Sequence, residues 1–295
     1  MSTQSFLDGV REGTLFDEDV PTEQAVRKLG VYAGLIGAAL LFVIPYLWMI
    51  SRSFQPQDAL FSRYPYLIPP DITFEWFSFL FGGTPIVQWT INTVIIAGGA
   101  TIMVLVADSM IAYSLTRLHW PGRSVVFSVI VASFMVPGIV NLIPVYQLIT
   151  ELGLLNTYLG VILPAAAGPI GVFMLVQFFR DFPEEIEESA RLDGFSTFQI
   201  YLRLILPLMK PALTALALFI FIWTWNSFLW PLVILQDQSM YTLPIGLVTL
   251  RDTLTAQQPG LVMASSLFAS LPLFVVFLAL QGKLVRAVKM QGTVG

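Results

Sequence analysis

The stretch DFPEEIEESARLDGFSTFQIYLRLILP, Asp181 to Pro207, is a charged island between two long apolar runs. Asp181, Glu184 and Glu185 flank Pro183 at the start of an amphipathic segment, which suits the positive end of a helix dipole and a proline in the first turn. Gly194 supplies a stop, and Ser196 followed by Gln199 has the spacing of a capping box, so a second helix is expected to begin just after the glycine and run toward Pro207. The pattern is helix, tight glycine turn, helix. A solvated loop would not need the apolar face offered by Ile186, Ala190, Phe198, Tyr201 and Leu202; a helix that docks on a partner would.

Around the island the chain is apolar. Hydrophobic residues make up 56% and charged residues 12% of 295 positions, with a mean hydropathy of +0.76. So little charge cannot cover a soluble globule of this size, and the chain reads as an all-α integral membrane protein. Six stretches are long enough to cross about 30 Å of hydrocarbon as helices, whereas barrel strands would be about half as long. They are Leu29 to Ile50, Ile86 to Leu115, Ser124 to Ile149, Tyr158 to Phe179, Pro211 to Leu235 and Val262 to Gly282.

The first 28 residues are polar and lack an apolar core followed by a small-residue cleavage site, so the first span is expected to be retained as a signal anchor. Placing the N-terminus in the cytoplasm leaves only Arg52, Arg63 and Arg251 of the 15 basic residues outside. By the positive-inside rule both termini and the charged island are then cytoplasmic. The expected organisation is a tail over 1–28, a first span over 29–50, an external segment over 51–85, a five-helix core over 86–282 and a tail over 283–295. Within the core lie the island and a polar outer loop over 236–260. Pro137 and Pro144 interrupt the third span and Pro164 and Pro169 the fourth, as in a bundle that moves. The net charge of −4 and the scattered basic residues argue against nucleic acid as a partner, and the lack of cysteine excludes disulfides and thiolate metal sites.

Catalytic signatures are missing: there is no phosphate-binding GxxxxGK[ST] loop, no HExxH and no nucleophile with a partner base. The single histidine, His119, sits beside Trp120 at an expected interface and reads as an anchor. Asp108 lies well inside a span, where a carboxylate costs about 2.5–3.5 kcal/mol and must face the bundle or water. It is either an ion relay or lining group, or a carboxylate hydrogen-bonded to Ser109 or a neighbouring helix. In the fifth span, Trp223, Trp225 and Asn226 supply the aromatic planes and amide that a sugar ring needs, and equally fit an aromatic belt with helix packing.

The island also carries a resemblance. Glu188-Ser189-Ala190, three residues, Gly194, nine residues and Leu204-Ile205-Leu206-Pro207 resembles the EAA loop of ATP-binding-cassette (ABC) importer permeases, with Ser189 in place of an alanine and Leu204 in place of an isoleucine. Over most of its length the chain is similar to the smaller permease subunit of maltose-type carbohydrate importers. PVY (144–146), LGLLNT (152–157), WNSFLWP (225–231) and TLPIG (242–246) support this, while the ending KMQGTVG (289–295) departs from the family's usual Val-Lys-Gly.

The resemblance implies a MetI-like bundle of six transmembrane helices in a prokaryotic cell (inner) membrane. It implies a second permease subunit, two cytoplasmic ATPase subunits that bind ATP and magnesium, an extracytoplasmic solute-binding protein and a carbohydrate substrate. It makes 184–202 a coupling helix, with Glu184, Glu188, Ser189, Ala190, Asp193, Gly194 and Pro207 as the coupling residues. Trp223, Trp225, Asn226 and Asp108 become candidates for the substrate path, and this chain itself would hold no catalytic residue, metal or cofactor. Two readings compete: an ion-coupled secondary transporter using Asp108, and a polytopic membrane enzyme, which the missing catalytic residues weaken.

Overall fold

The computed structural model describes residues 22–62, 66–180, 183–254 and 258–291, and among these there is helix but no strand. Most of the expected N-terminal tail, Arg63, Asp181, Gln257 and the last four residues lie outside them. The first apolar run is α1, Thr22–Ser53, and it continues beyond both edges of its hydrophobic core. Two short helices follow, α2 (Gln57–Leu60) and α3 (Glu75–Gly83), in the segment expected to lie along the outer interface.

The organising element is α4, Ile86–Arg117. Thr93, Ile96, Ala97, Ala100, Val104, Asp108 and Ala112 recur at three- and four-residue spacing, and all are buried. Ala97, Ala100 and Ala112 are fully covered, since small residues let helices approach closely where lipid supplies no hydrophobic drive. Around this helix pack α8 (Pro169–Arg180), α11 (Lys210–Trp225) and α7 (Tyr158–Ile162), with α14 (Pro259–Gln291) against α1 and α11.

Three helices are long and apolar enough to span singly, Arg27–Ser53, Ile86–Arg117 and Pro259–Ala279, and three bent pairs bring the number of candidate spans to six. The third run is not one helix. α5 (Arg123–Ser133) and the stretch leading into α6 (Leu142–Glu151) meet at 99°, with the break just ahead of Pro137, while Pro144 sits harmlessly in the first turn of α6. The fourth run bends by 44° at Gly168, ahead of Pro169.

The fifth run differs most from expectation. α11 stops at Trp225, and Asn226 caps it by donating its side-chain amide to the carbonyl of Ile222 at 2.8 Å. A separate α12 (Leu229–Ile234) then turns away. The expected polar outer loop contains a helix of its own, α13 (Leu243–Leu254), and is tied to the start of α4. Trp89 donates to the Gln238 carbonyl at 3.0 Å, Asn92 to those of Ser239 and Tyr241 at 2.8 Å each, and the Leu243 amide donates to Thr93 Oγ1 at 2.7 Å. Buried α4 side chains thus satisfy backbone groups of this irregular stretch.

Candidate functional site

The island lies at the opposite end of α4 from that outer loop. α9, Glu185–Leu192, carries Glu185, Glu187 and Glu188 in its first turn, where the helix dipole favours negative charge. Pro183 precedes the N-cap Glu184 instead of entering the first turn. Gly194 has φ +84°, and its amide donates to the Arg191 carbonyl at 3.1 Å while the Phe195 amide donates to Ala190 at 3.0 Å. These two bonds form a Schellman stop, with Phe195 packed in the same apolar cluster as Ala190.

Ser196 then opens α10, Thr197–Leu208, with a complete capping box. The Gln199 amide donates to Ser196 Oγ at 3.4 Å, and Gln199 Oε1 accepts from the Ser196 amide at 2.9 Å. Pro207 has no N–H for the Arg203 carbonyl, and the preceding Ile200–Ile205 is wound as a π-helix. A 75° bend at Met209 leads into α11. We expect Gly194→Val to cost about 1–2 kcal/mol from the left-handed backbone alone. Hydrogen exchange should then rise across 184–199 and stay unchanged in α4; equal protection in wild type and variant would remove the role given to the turn.

The island is seated on the bundle through buried polar contacts that the sequence did not disclose. Glu187, 4% exposed, lies 3.1 Å from Arg117 Nε and accepts from the Tyr113 hydroxyl at 3.2 Å. Arg117 also pairs with Glu184 at 3.1 Å and donates to the Phe179 carbonyl at 2.7 Å. Arg117 thus joins the ends of α4 and α8 to the start of α9. Tyr201 bonds Ser109 at 2.8 Å, and its ring packs on Tyr113 at 5.2 Å.

The expected docking face is therefore split. Ala190 and Tyr201 are buried against the chain's own helices because each shares a helix face with a residue already committed to the bundle. Leu192 (90% exposed), Phe198 (62%) and Leu202 (44%) face outward. Glu188, Ser189, Asp193, Gly194 and Pro207 are exposed too, and Glu184 is exposed while pairing with Arg117. Glu187 was legible in principle, since it shares a helix face with Ala190 three residues on. Arg117, 70 positions away, had no such signal.

The residues considered for a substrate path do not form one cluster. Trp225 is 2% exposed and packs on Phe221, whereas Trp223 is 71% exposed and stacks on Phe219 at 6.0 Å. Only Trp223 and Asn226 face out of this subunit. Asp108 is buried, and its carboxylate lies against the start of α8 at Gly171. Ser109 bonds the Leu105 carbonyl and Tyr201 and not Asp108, so the expected Asp108–Ser109 hydrogen bond does not form. The approach is so close that a Cβ on Gly171 would fall 1.9 Å from Asp108 Oδ2. Among the described residues no group of three or more His, Asp or Glu side chains could hold a metal.

Residues 106–290 match the family model described as binding-protein-dependent transport system inner membrane component. The arabinooligosaccharides transport system permease protein AraQ of Bacillus subtilis (strain 168) is 34% identical over 92% of this chain and 97% of its own length. The diacetylchitobiose uptake system permease protein NgcG of Streptomyces coelicolor is 29% identical over 89% of this chain and 87% of its own. A chain from the crystal structure of a bacterial ABC transporter involved in alginate import shares the fold with a TM-score of 0.78 at 24% identity, covering 87% of this chain and 96% of that one. Nothing in these matches supports the ion-coupled reading. The chain belongs to the binding-protein-dependent transport system inner membrane components, the permease subunits of ABC importers, and folds as their MetI-like helical bundle.

Proposed function

We propose that this subunit forms one half of the translocation path of a carbohydrate importer and receives work from a cytoplasmic ATPase through α9 and α10. The observation that carries the reading is the island itself: a Schellman-turned helix pair latched to α4 by Arg117, with Leu192, Phe198 and Leu202 turned away from the bundle. The relatives' names support the carbohydrate class, and so does a neighbouring structure in which an alginate ABC transporter is in complex with a pentasaccharide-bound periplasmic protein.

In this reading a second permease subunit completes the path, two ATPase subunits hold ATP and magnesium, and an extracytoplasmic solute-binding protein delivers the sugar. Both termini and the island are cytoplasmic, as the distribution of basic residues suggests. This chain contributes no catalytic group. Its Glu188, Ser189 and Asp193 rim the contact with the ATPase, Gly194 sets the turn, and Trp223 with Asn226 faces the path. Closure of the ATPases moves α9. The buried Arg117–Glu187 pair passes that motion to α4 and α8, and the bends ahead of Pro137, at Gly168 and at Met209 let the bundle change its access.

Leu192→Glu combined with Phe198→Glu should abolish co-purification of an ATPase subunit while the permease itself elutes as a single species. Retention of the ATPase by that variant, or substrate uptake by the lone chain, would sink the proposal. Ligand binding by the cognate binding protein tests the substrate class.

A further inference from the structure

A cavity of about 440 Å³ opens where the ends of α4 and α8 meet the start of α5, on the side of the bundle that carries the docking island. Arg117, Arg123 and Arg180 line it, together with Ser124 and Ser128. Its lining is amphipathic in the way a phospholipid is, since Phe127 and Val176 supply apolar wall beside the cations. Arg117 and Glu184, the one carboxylate among the described lining residues, already pair with each other. Arg123 and Arg180 therefore leave the cavity with two positive charges not matched by a described carboxylate.

Both of those arginines are held in place without using up their donors. Arg123 commits one N–H to the Leu118 carbonyl at 3.0 Å. Arg180 holds its guanidinium carbon 5.0 Å from the centre of the Phe127 ring, a cation–π contact that fixes the side chain at the cavity. Forked guanidinium donors with neighbouring hydroxyls match the geometry of a phosphate. No residue of α5 is buried by the chain's own fold, so the wall carrying Ser124, Phe127 and Ser128 is accessible from outside this subunit.

We propose that this cavity is a headgroup site for an anionic phospholipid, whose phosphate is held by Arg123 and Arg180 with Ser124 and Ser128 while its acyl chain follows Phe127. Basic pockets between spans near the membrane edge suit such headgroups. Because Glu184 and Arg117 line the same cavity, a bound lipid would brace the joint between α4 and the docking helix. The assignment rests on the proposed membrane orientation only for which leaflet supplies the lipid.

The test is native mass spectrometry of the full-length chain, purified in the assembly that it forms in its membrane and titrated with phosphatidylglycerol or phosphatidylcholine. Wild type should retain one phosphatidylglycerol in preference to phosphatidylcholine. Arg123→Gln with Arg180→Gln should weaken that retention by about tenfold or more. Ser128→Phe fills the cavity without changing charge and should weaken it as well, which covers the case in which the arginine variant does not fold. Equal retention of the two lipids, or unchanged retention in the variants, overturns the proposal. Competition by millimolar inorganic phosphate would assign the site to a free anion and overturn it too. Retention is read without transport, so a chain that keeps the lipid but recruits no ATPase would contradict the proposed function and leave this site standing.

Discussion

Glu187→Ala should unseat the docking helix and reduce substrate uptake by at least an order of magnitude, although Glu187 faces the bundle and not the partner. The substitution leaves Arg117 buried with the Phe179 carbonyl and the exposed Glu184 as its described partners. Breaking a buried pair from one side costs about 3–5 kcal/mol, and the retained Glu184 contact puts this case at the lower end of that range or below it. Tyr113 loses its acceptor in the same step. Trypsin accessibility at Arg191 in the assembled transporter reads the seating directly, and uptake reads the consequence. The double variant Arg117→Met, Glu187→Leu removes both charges and should recover much of the stability while transport stays impaired. Strictly additive single effects would mean that the two residues do not act as a pair.

Gly171→Val should be strongly damaging, because it overpacks the contact between α8 and α4. A Cβ there meets Asp108 Oδ2 at 1.9 Å, Asp108 Cγ at 3.0 Å and Leu216 Cδ2 at 3.3 Å, so α8 must back away from α4 or Asp108 must leave its site. Overpacking of this kind costs about 1–3 kcal/mol for one methyl group and more for a branched side chain. Asp108→Ala removes the obstructing atoms, so Gly171→Ala should be tolerated much better with Asp108→Ala than alone, as measured by thermal unfolding of the purified subunit. A Gly171→Ala variant as stable as wild type would show that the helices do not meet as described.

How much of this was legible depends on the range of the interaction. The glycine turn and the capping box at Ser196 are local, and spacing alone located both. Hydropathy found the apolar runs but could not see where they break. Phe228 to Leu235 is as apolar as the residues before it, and α11 ends at Asn226 because an amide side chain takes up a terminal carbonyl. Likewise, the polar composition of 236–260 suggested an open loop, because hydropathy ignores the buried Trp89, Asn92 and Thr93 that bind its backbone. Trp223 and Trp225, two positions apart, had to occupy different helix faces, but which one met the core was a tertiary fact. For Arg117, nothing near it in sequence points to Glu187, 70 positions on.

The two-ended anchoring of α4 has a mechanical consequence. At 32 residues the helix is about 48 Å long, and it is pinned near one end to the outer loop by Trp89, Asn92 and Thr93 and at the other to the docking helix by Arg117. A straight rod pivoting about its middle by about 10° carries each tip by about 4 Å, in opposite directions. Such a seesaw has no preferred sender. Whatever shifts the outer loop changes the free energy of engaging the island by the same amount that engagement at the island changes contact at the loop. Under the proposed function, a partner bound at one end of α4 would be felt at the other through a single helix, with no sequence of small rearrangements in between.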